Sequence, residues 1–343
     1  MPTIYDVAEH CKVSPATVSL VLNGSPRKVS EHTRQRVRDA ARDLNYRPSA
    51  IARRLTRKRM DALGIFLPSV ANQVFGDLFF GPIANAVFGQ ATERGQCLTV
   101  FPRTIVNELD RCLSVLTDGR IDGLLLLVPG LDPAIKEGLI SNGLPCVEIG
   151  ATPGPPGISV VDCDNELGGY LATRHLIDLG HRRIATITGH DSYVATELRL
   201  RGYKRALAEA GLEERPDLVF GGRFTRDSGY EATKSWLKGN TADRPTAIFA
   251  GDDLIAYGAM DAATECGVSI PQELSIVGFD DFATSATCAP SLSSICPPLV
   301  EMGCVAVDLL MSIIGEDCPC PEQRIFAPEL VVRQSSGPVP PNV

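Results

Sequence analysis

From residue 62 onward the chain alternates short strand-like runs with helical patterns, and it runs that alternation twice. The first series has strands at 63–67, 97–101, 123–128, 145–149 and 158–161, the first a continuous apolar run, with helical patterns over 77–93, 106–117 and 132–141. The second begins with a helical pattern over 165–179. Strands at 183–188, 218–220, 246–250 and 274–279 then alternate with helices at 195–210, 225–238 and 253–266. A strand covered by helices on both faces reads as an unbroken apolar run rather than an alternating one. Strands separated by helices of this length build parallel sheets from βαβ units. Two such series predict an α/β core of two lobes, each a doubly wound parallel sheet. Ligands bind such sheets beyond the carboxyl ends of their strands, so two facing lobes predict a binding cleft. A strand-like run at 291–295, a helix over 298–314 and strand-like runs at 323–326 and 330–332 follow. Residues 335–343, rich in Pro, Gly and Ser, read as a flexible tail.

The amino-terminal residues obey a different period. Ile4, Val7 and Ala8 form one helical stripe, and Val18, Val21 and Leu22 form a second. Cys11-Lys-Val13 between them is long enough only for a tight turn. Ser14 is placed to cap the second helix, and Pro15 occupies the first helical position, where its missing N–H is no loss. Thr3 can cap the first helix in the same way. Two short helices joined by a tight turn read as a helix-turn-helix, whose second helix enters the DNA major groove. An ordinary helical hairpin is the alternative. Asn23-Gly24 stops the second helix, and a third runs from Ser30 to about Leu44 with Val37, Ala40 and Ala41 on one face. Residues 49–55 are a further short helical stretch, followed by a basic tether.

The net charge of −8 argues by itself against a nucleic-acid partner, but the average hides an asymmetry. Residues 1–59 hold 13 Lys and Arg against 5 Asp and Glu, whereas the remainder holds 20 against 36. A basic module on an acidic body is the footprint of a separate DNA-contacting domain. The amino terminus lacks the apolar run of a secretion signal, and no stretch approaches the length of a membrane span. The 11 cysteines, an odd number at irregular spacing, read as reduced thiols of a cytoplasmic protein. Cys318-Pro-Cys320 is the only close pair. The sequence holds no phosphate-binding loop, dinucleotide fingerprint or nucleophile elbow, and its five histidines lack metal-ligand spacing. No enzyme activity, cofactor or metal is expected.

YDVA, SPATVS, VLN, VS-x-x-TR, LNYRP and IARRL, in that order, resemble the DNA-binding headpiece of the LacI/GalR family of bacterial transcriptional regulators. The rest of the chain resembles that family too. The resemblance implies a headpiece over 1–48, a hinge helix and linker over 49–60, and a two-lobed periplasmic-binding-protein-like core over 61–334. It assigns the last helix and strands to crossovers between the lobes. The implied function is that of a homodimeric repressor of a carbohydrate-uptake or catabolic operon. Such a repressor binds a pseudo-palindromic operator and responds allosterically to a small molecule. A solute-binding protein, or an enzyme on the same sheet topology, is the rival class, and a nucleobase is the rival effector.

By the same resemblance, bases are read by Pro15, Ala16 and Leu20. These three cannot form bidentate hydrogen bonds and can only touch thymine methyls or exclude bases sterically. Ser14, Thr17, Ser19 and Asn23 can reach phosphates or base edges, and Tyr5, Lys28, Thr33 and Tyr46 match backbone-contact positions. Leu55 matches a leucine wedged between base pairs in the minor groove, with Ala52 small enough for two hinge helices to approach and Arg53 beside phosphates. In the cleft, the resemblance nominates Arg199, Asp252 and Asp280, with Phe224 to stack on a sugar ring. A guanidinium forking onto two ligand oxygens, with carboxylates accepting from hydroxyls, suits a neutral sugar or polyol. Each has a plainer reading: Arg199 pairing with Glu197 or Glu209, Asp252 capping a helix, Asp280 closing a turn.

Overall fold

The computed structural model describes residues 2–22, 29–46, 59–67, 77–102, 109–127, 131–150, 154, 156–239, 243–316 and 321–339. The chain divides into two compact units, Met1–Ala62 and Leu63–Val343.

In the smaller unit, helices α1 (Ile4–Cys11), α2 (Pro15–Leu22) and α3 (Glu31–Asp43) surround a core of Val7, Ala8, Cys11, Val18, Val21, Val37, Ala40 and Ala41. Thr3 and Asp6 form a reciprocal capping box at the start of α1, and Lys12 in the left-handed conformation (φ 51°) ends it. Ser14 Oγ accepts from Thr17 N at 3.2 Å at the start of α2. Ser30 caps α3 by accepting from Thr33 N at 3.3 Å. Each of the three helices therefore starts where its capping residue lies. Asn23-Gly24, the hinge stretch and Cys318-Pro-Cys320 lie outside the described residues.

The larger unit contains two six-stranded sheets. In the first lobe the strands are β1 (Ala62–Leu67), β2 (Cys97–Pro102), β3 (Gly123–Leu126), β4 (Cys146–Ile149), β5 (Ser159–Cys163) and β11 (Gln323–Phe326). Their order is β2-β1-β3-β4-β5-β11. In the second they are β6 (Ile184–Ile187), β7 (Val219–Phe220), β8 (Ala247–Ala250), β9 (Ser275–Phe279), β10 (Ser293–Cys296) and β12 (Glu329–Val331). Their order is β7-β6-β8-β9-β10-β12. Strands β1, β3, β4, β8 and β9 are buried along their whole length, as strands covered by helices on both faces are.

Helices α4 (Phe80–Glu93), α5 (Leu109–Leu116), α6 (Pro133–Ser141) and α11 (Leu299–Ile314) cover the first lobe. Helices α7 (Asn165–Asp178), α8 (Val194–Glu209), α9 (Arg226–Lys238) and α10 (Asp253–Glu265) cover the second. The chain passes between lobes after β5, after β10 and between β11 and β12. That is the crossover role implied for the last elements. Two features depart from the sequence reading. Strand β12 pairs with β10 antiparallel, Ile295 opposite Leu330, because it arrives straight from the other sheet with no helix to return it to the same end.

The second departure is the tail. Residues 335–339 are packed against the second lobe rather than free. Ser335 O accepts from Ile276 N at 2.8 Å, while Ser335 Oγ accepts from Ser293 N at 2.8 Å and donates to Ile276 O at 2.6 Å. Gly337 N donates to Ser275 Oγ at 3.0 Å and Val339 N to Leu179 O at 3.0 Å. His181, fully buried, lies 3.0 Å from Gly337 O through Nε2 and 2.9 Å from Thr246 Oγ1 through Nδ1. The small polar residues that read as flexible are the ones that satisfy buried polar atoms. A chain ending at Gln334 is expected to lose on the order of 3 kcal/mol in urea unfolding. Unchanged stability would show the packing to be incidental.

Candidate effector cleft and DNA-reading helix

The carboxyl ends of β8 and β9 place two aspartates side by side. Asp252 follows β8 after Gly251 and caps α10: its Oδ1 accepts from Ile255 N at 2.7 Å. Asp280 follows β9 with φ +98°, a conformation rarely adopted by residues with side chains, and its N–H donates to Ile295 O at 2.7 Å. Arg199 reaches this point from α8. Its guanidinium stacks on the Phe279 ring at 3.5 Å. Nε donates to Asn165 Oδ1 at 2.9 Å, Nη1 to Gly251 O at 2.5 Å and Nη2 to Asp280 Oδ1 at 3.4 Å. Of the guanidinium's five N–H groups, three are engaged within the protein, which leaves two for a ligand.

Arg199, Asp252 and Asp280 thus form one buried constellation. The plainer pairings of Arg199 are absent: Glu197 pairs with Arg201, and Glu209 accepts from Tyr170. The cap reading of Asp252 and the proposed site coexist, since only Oδ1 is used by the helix. Burial, reinforced by the neighbouring Asp280, pushes the Asp252 carboxyl up to about 8. Asp280 is also raised by burial, against the pull of Arg199, and the like charge of Asp77 adds a smaller push in the same direction as burial.

Asp253 plays a different part. It is fully buried and accepts from Phe282 N at 2.8 Å, Ser285 Oγ at 2.5 Å and Ser294 Oγ at 2.6 Å. Those bonds hold the loop after β9 and so fix Asp280. Burial raises Asp253 to about 7.

Phe224 lies at the edge of the constellation, with the Arg199 guanidinium 5.8 Å from its ring centre. It stacks on Tyr193, centroids 5.8 Å apart and planes at 10°. Its ring tip rests on Gly189, where a Cβ would fall 2.0 Å from Phe224 Cζ, so a larger residue there would push the ring out of this place. Asn165 and Tyr193 were not singled out by the sequence reading. Both sit at a carboxyl strand end, Tyr193 beyond β6 and Asn165 beyond β5, so the cleft rule could have found them.

In the smaller unit Ser14 and Ala16 are exposed, Pro15, Thr17, Ser19 and Leu20 are half-buried, and Val18 and Val21 face the core. Tyr5 is 71% exposed on α1. Thr33 lies in the first turn of α3, and its hydroxyl is 2.9 Å from Ser30 Oγ. Tyr46 packs against the core of the unit, and Thr3 belongs to the capping box. Asn23, Lys28, Ala52, Arg53 and Leu55 lie outside the described residues. Among the described residues there is no cluster able to hold a metal ion and no helix long and apolar enough to cross a membrane.

Residues 3–49 match the family described as bacterial regulatory proteins, lacI family, and residues 173–336 a periplasmic binding protein-like domain. The HTH-type transcriptional repressor PurR of Aliivibrio salmonicida is 35% identical over 341 residues, covering 98% of this chain and 99% of that protein. The ribose operon repressor of Haemophilus influenzae is 34% identical, covering 98% of each chain. Among solved structures, the lac repressor dimer bound to operator and the anti-inducer ONPF superposes with a TM-score of 0.82 at 27% identity, covering 98% of this chain and 99% of that one. The transcriptional regulator CelR–cellobiose complex superposes with a TM-score of 0.74 at 34% identity, covering 98% and 100%.

Proposed function

The chain belongs to the LacI family of ligand-responsive transcriptional repressors, and on that premise we propose that it controls a carbohydrate-uptake or catabolic operon. It acts as a homodimer on a pseudo-palindromic operator and carries out no catalysis. A small hydroxyl-rich effector binds at Arg199, Phe224, Asp252 and Asp280. Binding there decides whether the chain grips its operator.

The observation that carries the reading is the joining of a helix-turn-helix module to a core in which Arg199, Asp252 and Asp280 meet at one buried point. Arg199 and Asp280 hold each other while each keeps hydrogen-bonding capacity for a ligand. The Phe224–Tyr193 pair supplies an apolar ledge beside them. Ribose and cellobiose appear in the names of two of the proteins cited above, which supports a sugar as the effector class.

Charge distribution supplies the test of the DNA role. The full chain is expected to bind selected genomic fragments with an affinity that falls steeply as salt rises. Deleting residues 1–59, which carry the 13 basic residues, is expected to abolish that binding and leave the core folded. Retention of DNA binding by the truncated core contradicts the reading.

A further inference from the structure

The outer face of α2 offers little with which to hydrogen-bond a base. Ala16 is exposed, and Leu20, one helical turn on, lies on the same face. Leu20 is half-buried, yet it is not among the partly buried residues packed against the core of its unit, unlike Leu22 and Val13. Pro15, at the start of the helix, is also half-buried. None of the three side chains has a donor or an acceptor. Of the hydroxyls beside them, Ser14 Oγ and Thr17 Oγ1 lie 2.9 Å apart, Ser14 Oγ also accepts from Thr17 N, and Ser19 is half-buried. An apolar side chain in the major groove has one base feature to grip, the methyl group on C5 of a pyrimidine.

We propose that α2 selects its half-site by pyrimidine C5 methyl groups, with Leu20 and Ala16 as the residues that touch them. The proposal rests on the DNA-binding reading above and adds the chemistry of recognition. It has a consequence that hydrogen-bond readout does not share. Thymine and 5-methylcytosine carry the same methyl at the same place in the groove, and they differ in the exocyclic group beside it: thymine has an oxygen acceptor, 5-methylcytosine an amino donor. A reader that grips only the methyl treats the two alike. It separates thymine from uracil, which differ by the methyl alone. A side chain bonded to the exocyclic group does the reverse.

The test starts from a half-site selected by the full-length chain from random duplexes. Each thymine in it is then replaced in turn by uracil, cytosine or 5-methylcytosine, with the complementary purine opposite. At one or more positions uracil is expected to weaken binding about fourfold, the equivalent of one buried methyl. At those positions 5-methylcytosine binds closer to thymine than cytosine does. In a Leu20→Ala chain, which leaves the core untouched, the uracil penalty shrinks at the Leu20 position. Uracil tolerated within twofold everywhere, 5-methylcytosine no better than cytosine, or an undiminished penalty in the Leu20→Ala chain each overturns methyl readout. Failure of the full-length chain to select any sequence overturns the DNA-binding reading itself, and methyl readout with it.

Discussion

An Arg199→Met chain is expected to lose about 3–5 kcal/mol of stability in urea unfolding, the typical loss when one partner of a buried ion pair is removed. The substitution keeps most of the apolar stem over Phe279 and removes every hydrogen bond that the guanidinium makes. It leaves the Asp280 carboxylate inside the lobe without its cation, and Asn165 Oδ1 and Gly251 O without their donor. Those acceptors belong to α7, to the end of β8 and to the end of β9, so a single side chain ties three elements at the mouth of the sheet. Pairing Arg199→Met with Asp280→Asn removes the orphaned charge and is expected to recover a substantial part of the loss. A loss below about 1 kcal/mol in the single variant would place the pair with exposed ion pairs, which contribute little.

Asp252→Asn is expected to change the pH dependence of stability. The Asp252 carboxyl stands near 8 in the folded chain, because it is buried beside Asp280, against an ordinary value of 3.8. Between those values the folded chain holds a proton that the unfolded chain has released. Stability contributed in this way is complete below about pH 4 and is lost as pH rises toward 8. Asparagine keeps the cap on α10, since its side-chain oxygen can accept from Ile255 N as Asp252 does. The variant should match the parent near pH 4 and exceed it by a few kcal/mol near pH 9, read from thermal or urea unfolding at each pH. Asp253, raised by burial to about 7, titrates in the same direction and leaves a shallower slope in the variant. Parallel curves for parent and variant would mean that Asp252 is already ionised at neutral pH.

Much of the architecture is legible in the chain because its signals are local. Ser14 and Pro15 announce the start of α2, and unbroken apolar runs such as Leu63 to Leu67 announce buried parallel strands. The cleft residues are legible because strand ends are legible. What is not legible depends on partners distant in sequence. Arg199 meets Asn165, Gly251 and Asp280 at separations of 34, 52 and 81 residues, and no local pattern shows that its charge is already committed. The packing of residues 335–339 escapes for the same reason. Serine and glycine mark a loose end by composition, whereas Ser335 and Gly337 complete the hydrogen bonds of β9 and His181. The reversed strand β12 follows from a passage between sheets, which alternation alone does not encode.

Occupancy of the cleft is expected to govern the grip on DNA. The direct measurement is fluorescence anisotropy of the full-length chain on a selected duplex, titrated with ribose, cellobiose and a panel of other mono- and disaccharides. At least one sugar is expected to shift the affinity about tenfold or more, a coupling within the usual allosteric range. A Phe224→Ala chain should bind the same duplex as the parent does and respond far more weakly to that sugar. DNA affinity indifferent to every sugar, or a Phe224→Ala chain that responds as fully as the parent, would contradict the account.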